Sequence, residues 1–132
     1  MSIRLTLGTL AASTLLLGVA AAREPVRDIE RADLPGQQVF ARQCAPCHGT
    51  GPGDDGSPML PGTAALAAKY EGALPAALEL RSDLSAPVLT LFVRRGSGAM
   101  PMFRKAELTD AQIEELAAYL AATAALNTPA TD

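Results

Sequence analysis

Cys44-Ala45-Pro46-Cys47-His48 is the stretch on which the reading of this chain turns. Two thiols at this spacing can reach the two vinyl groups on one edge of a porphyrin and form thioethers. The residue after the second thiol then presents an imidazole to the iron from below the ring plane, so C-x-x-C-H is the pattern of covalent haem attachment. Cys44 and Cys47 are the chain's two cysteines and His48 is its one histidine. Two other readings compete: a thioredoxin-like dithiol and a plain disulfide of an oxidising compartment. The first lacks any βαβ pattern around it. A zinc site would need a fourth ligand that no other Cys or His supplies.

On the N-terminal side of the motif, Val39 and Phe40 supply apolar contacts on a short helix opened by Pro35-Gly36 and running into Cys44. On the C-terminal side, residues 49–62 are rich in glycine and proline and include Asp54-Asp55, which is loop chemistry. Residues 64–80 are mostly alanine and leucine interrupted by Gly72 and Pro75, and read as two short helical pieces. Ser85 is placed to cap a helix with Pro87 in its first turn and Val88, Leu89, Leu91, Phe92 and Val93 along it, ending at Arg94-Arg95 before the breaker Gly96. Residues 96–103 form a second loop. Thr109 with Gln112 makes a capping box. Ile113, Leu116, Ala117 and Leu120 then fall on one face of an amphipathic helix predicted to run to about Ala125. No strand pattern and no internal repeat is present.

The 132 residues fit one small domain, and a net charge of −3 argues against a nucleic-acid binder. Five aromatic side chains (Phe40, Tyr70, Phe92, Phe103 and Tyr119), no Trp and an alanine-heavy apolar set leave the core short of bulk. That shortage reads as space for a cofactor. Residues 1–22 have the order of a secretory signal: Arg4, an apolar run from Leu7 to Val19, and Ala20-Ala21-Ala22 before Arg23. The alternative is an uncleaved anchor, because residues 5–22 carry no charge. Cleavage removes Arg4 and no acid, which moves the net charge from −3 to −4. Residues 23–34 then form a mobile leader, 35–126 the folded domain and 127–132 a frayed tail. The exported chain is expected in the periplasm, with a membrane as partner only if the N-terminal segment is retained.

Beyond the signal, Met59, Met100 and Met102 are candidates for a second axial ligand, since a thioether opposite histidine raises the potential of a haem. C-x-x-C-H, followed by Gly98-Ala99-Met100-Pro101-Met102-Phe103 ahead of a capped amphipathic helix, resembles class I monohaem cytochromes c from Pro35 to about Ala125. The resemblance implies an all-α, small cytochrome c fold, with three to five helices wrapped around one covalently bound haem c. It implies attachment through Cys44 and Cys47 and iron ligation by His48 and Met100, the family's distal methionine being the one directly before proline. Met102 is the competitor, or else a core filler or haem-edge contact. The resemblance further implies that a proline carbonyl, from Pro58 or Pro61 rather than the nearer Pro52, accepts the Nδ1–H of His48. It also implies that the first and last helices cross with Gly36 and Phe40 against Tyr119 or Leu120.

The function implied is electron transfer rather than catalysis, with redox proteins as partners: a dehydrogenase as donor and an oxidase or another cytochrome as acceptor. Chains with this Met100-to-Phe103 loop also look similar to the cytochrome subunits of periplasmic dehydrogenases. The alternative is a haem sensor or haem enzyme with a labile sixth ligand, although no second histidine exists to serve a peroxidase. Arg94, Arg95, Arg104 and Lys105 bracket the Met100 loop and could steer the carrier onto an acidic partner. Helix capping and solubility explain them as well.

Overall fold

The computed structural model describes residues 34–127; the segment read as a secretory signal, the leader up to Asp33 and the tail beyond Asn127 lie outside the described residues. Pro35 opens α1 (Pro35–Val39), where its missing N–H costs no helical hydrogen bond and its φ is already helical. The helix does not stop before the motif. It widens into a π-helical segment (Phe40–Cys44), in which the Ala45 N–H donates back to the Phe40 carbonyl, and resumes as α2 (Ala45–His48). A π turn inserts a residue and re-aims the side chains that follow, and such turns occur frequently at functional sites.

α3 (Pro61–Tyr70) begins inside the stretch that reads as loop, again with proline in its first turn. It ends where Glu71 adopts a left-handed φ of +47°. The second helical piece expected before Leu80 is a single 3-10 turn, Leu78–Leu80. α4 (Ala86–Arg95) follows, and Gly96 stops it at φ +69°. Ser85 takes the N-cap backbone position, but its hydroxyl makes no capping hydrogen bond. Pro87 removes one of the N–H groups that such a cap would serve. α5 (Asp110–Asn127) runs past its expected end near Ala125. Its capping box forms as read: the Thr109 N–H donates to Gln112 Oε1 at 2.9 Å, and the Gln112 N–H donates to Thr109 Oγ1 at 3.2 Å. The described residues contain no strand, so the architecture is all-α.

The core gathers around α5. Ile113, Leu116, Ala117 and Leu120 are buried, as the helical period requires, and pack with Val39, Phe40, Leu84, Leu89, Val93 and Leu108. α1 crosses α5 at Gly36, where a Cβ would overlap the Glu115 carbonyl and stand 2.8 Å from Tyr119 Cβ. The Phe40 and Tyr119 rings meet beside this crossing, with centroids 5.5 Å apart and planes tilted by 39°. Such a ring pair contributes about 1 kcal/mol beyond the area it buries. The Tyr119 hydroxyl donates to Glu79 Oε1 at 2.7 Å and so ties the 3-10 turn to α5. The motif side is built differently. α2 buries none of its side chains and α3 buries only Thr63.

Candidate haem site

The π segment ends on Cys44, and α2 carries the rest of the motif. Both cysteines are free; Cys44 is partly buried against the core and Cys47 is exposed. Burial pushes the Cys44 thiol up to about 11, and the neighbouring Cys47 adds to the rise. A dithiol oxidoreductase needs the opposite, an attacking thiol whose pKa is lowered so that thiolate is present. The burial of Cys44 works against that reading of the motif.

His48 is half-buried, and burial lowers its pKa below the ordinary imidazole value. Burial thus favours the neutral ring, the form that offers a lone pair to a metal. Its Nδ1 is buried without a hydrogen-bond partner. Neither the Pro58 nor the Pro61 carbonyl is hydrogen-bonded to it; α3 starts at Pro61, and its Gly62 lies close against the ring. A Cβ at Gly62 would stand 2.7 Å from His48 Cε1, 2.8 Å from Nδ1 and 2.8 Å from the Cys47 carbonyl oxygen. The buried Thr63 hydroxyl donates to the Gly49 carbonyl at 2.9 Å, locking α3 against the end of α2. Gly62 and Thr63 were not singled out from the sequence, where Pro61-Gly62 resembles a turn. Proline ahead of an alanine-rich run was the available signal of a helix start. Gly62→Ala is expected to tilt the imidazole and to destabilise the folded, haem-loaded protein by about 2 kcal/mol. A thermal melt together with the low-spin fraction of the visible spectrum checks this; wild-type values in both would contradict the packing role.

Met100 sits in the loop between α4 and α5. The Ser97 N–H donates to the Met100 carbonyl at 3.1 Å, and the Met100 N–H donates to the Ser97 carbonyl at 3.0 Å, forming a tight turn. Gly96 lies under it, where a Cβ would stand 2.6 Å from the Met100 carbonyl oxygen. Met100 is partly buried and packs against the same apolar cluster as Cys44, whereas Met102 is 63% exposed. Of the four basic residues flanking this loop, three are engaged in ion pairs. Arg94 and Lys105 both pair with Asp110, and Arg104 pairs with Glu107. Lys105 and Arg94 together hold the Asp110 carboxyl below its ordinary pKa. Among the described residues Arg95 alone of the four lacks an ion-pair partner, so the basic ring read from the sequence is largely neutralised by its own neighbours.

Among the described residues no group of three or more His, Cys, Asp or Glu side chains could hold a metal ion. The residues around His48 do fit a covalently attached, iron-bearing macrocycle. Two free thiols and a neutral imidazole share one turn of helix, a thioether packs on the same core, and α2 and α3 bring little apolar packing of their own to that side. The C-x-x-C-H motif on its helix and the all-α fold together place the chain among class I monohaem cytochromes c.

The family model for cytochrome c oxidase, cbb3-type, subunit III matches residues 31–120, and the chain belongs to this cytochrome c family. Cytochrome c6 of Cyanidioschyzon merolae (strain NIES-3377 / 10D) is 34% identical over 100 residues, covering 75% of this chain and 83% of that protein. No solved structure matches the chain. The protein carries covalently bound haem c and is an electron carrier. Among the described residues no helix is long and apolar enough to cross a membrane.

Proposed function

We propose that His48 and Met100 are the two axial ligands of a haem bound through Cys44 and Cys47, and that the carrier works in the periplasm after export by residues 1–22. We further propose that it accepts electrons from a dehydrogenase, as a free acceptor or a subunit, and passes them to an oxidase or another cytochrome. When bound, the haem supplies a one-electron Fe(II)/Fe(III) couple, which thioether ligation moves to higher potential. The chain's own residues orient the imidazole and hold the thioether in place. The observation that carries the ligand reading is the contrast between the two methionines. Met100 is pinned by a two-hydrogen-bond turn and packed on the core, while the Met102 side chain faces solvent. The signal order of residues 1–22 supports export, and the resemblance of the loop around Met100 to dehydrogenase cytochrome subunits supports the choice of donor.

Met100→Ala is expected to abolish the Met-to-iron charge-transfer band, lower the reduction potential and tighten cyanide binding by more than about tenfold, or roughly 1.4 kcal/mol. Met102→Ala is expected to leave all three unchanged. The reverse pattern would move the ligand to Met102. An immediate spectral shift of the wild-type protein with carbon monoxide or cyanide would instead favour a sensor or enzyme with a labile sixth ligand. Export is tested by N-terminal sequencing of periplasmic protein, which should begin at Arg23. The donor is tested by copurification with a flavin- or quinone-containing dehydrogenase.

A further inference from the structure

The loop bearing Met100 is closed at its root by Phe103, whose two backbone polar groups are both engaged. Its N–H donates to the Val93 carbonyl at 2.8 Å, and its carbonyl accepts from Arg94 Nη1 at 3.0 Å. The same guanidinium donates through Nη2 to the Leu108 carbonyl at 2.8 Å and to Asp110 Oδ1 at 2.7 Å. One side chain at the end of α4 thus fastens the exit of the loop, the turn that follows and the first residue of α5. The Arg94 side chain is 19% exposed, and its Nε is buried without a partner. Leaving that N–H unpaired is costly, yet the two terminal nitrogens engage three acceptors in return. The tether from Met100 to Phe103 is only Pro101-Met102, and proline removes one of its backbone freedoms, so a backbone displacement of Met100 is felt at Phe103.

We propose that Arg94 is a positioning residue that sets how readily Met100 leaves the iron; the proposal rests on Met100 being the second axial ligand. With Arg94 in place, release of Met100 pulls against the charge-assisted hydrogen bond at Phe103 as well as the backbone one. Without it, the loop is held by its backbone bonds alone, from Phe103 to Val93 and across the Ser97–Met100 turn. A lysine at this position is a point donor that cannot span all three acceptors as the planar guanidinium does.

Haem-loaded Arg94→Gln, Arg94→Lys and Asp110→Asn proteins are titrated with imidazole in the ferric state while the Met-to-iron charge-transfer band is followed. Helix content is measured separately by circular dichroism against denaturant. Arg94→Gln is expected to bind imidazole roughly tenfold more tightly than wild type and to lose the band at a lower denaturant concentration than the helices. Arg94→Lys is expected to recover part of the difference, and Asp110→Asn, which weakens one of three acceptors, to shift affinity roughly two- to threefold. Wild-type imidazole affinity in all three variants overturns the proposal. Loss of band and helix at one common midpoint overturns it too, because that is general destabilisation with no particular hold on the loop. If Arg94→Gln does not fold, Arg94→Lys and Asp110→Asn decide by the same criteria. Met100→Ala separates the two layers. If that variant keeps the band, the ligand reading fails and this proposal fails with it; if the band vanishes while the Arg94 variants behave as wild type, only the role of Arg94 is lost.

Discussion

A chain carrying Cys44→Ser and Cys47→Ser is expected to be recovered without haem after denaturing extraction and to lose roughly a quarter of the wild-type helix signal, the share that α2 and α3 carry. The reason lies in how unevenly the fold is packed. α1 and α4 have buried apolar positions against α5, with Val39, Leu89, Val93, Ile113, Leu116 and Leu120 all inside. α2 offers no buried side chain and α3 offers only Thr63, so these two helices gain little apolar burial from the polypeptide itself. Isolated helices of such length are unstable in water unless an apolar face is covered. A porphyrin held on the motif is the apolar body that can cover them, and binding only to the folded state stabilises that state. Hydrogen exchange should show the loss concentrated in residues 45–70, with the crossing of α1 and α5 retaining the most protection. A haem-free double variant with the helix content and melting temperature of the loaded wild type would contradict this account.

Gly36→Ala is expected to lower the melting temperature of the haem-loaded protein by roughly 15 °C, corresponding to about 3 kcal/mol. In an ordinary helix the same change would stabilise by about 1 kcal/mol, because alanine is the better helix former. The sign reverses here because the added Cβ would overlap the Glu115 carbonyl and crowd Tyr119 Cβ, and a backbone carbonyl inside α5 cannot rotate away. α1 must then lift off α5, which also separates Phe40 from Tyr119. The loss falls on the packed half of the molecule, where haem does little to compensate. Thermal unfolding followed by circular dichroism decides the matter, and a neutral or raised melting temperature would show that α1 crosses α5 elsewhere.

Much of this was legible without coordinates wherever the chemistry is local. The capping box at Thr109 and Gln112 and the buried stripe Ile113, Leu116, Ala117 and Leu120 depend on neighbours within two helical turns, and both form as read. The crossing at Gly36 and Phe40 followed from the family resemblance, and of the two partners left open the structure selects Tyr119 for the close contacts. The expectation that a proline carbonyl orients His48 is not met. His48 Nδ1 has no hydrogen-bond partner, and α3 starts at Pro61 with Gly62 close against the ring. The basic residues around Met100 looked available to a partner because a sequence shows charge without showing pairing, and folding brings Asp110 and Glu107 to three of them.

The sequence by itself determined the cofactor chemistry, the all-α character and the family, because two thiols and an imidazole within five residues need no long-range contact to express their reactivity. Only the tertiary structure decided how that motif is held. The glycine on the imidazole and the Arg94 hydrogen bonds at the exit of the Met100 loop each depend on different segments of the chain meeting at hydrogen-bond or van der Waals range. Such meetings are fixed by the packing of whole helices, a quantity that no short window of residues contains.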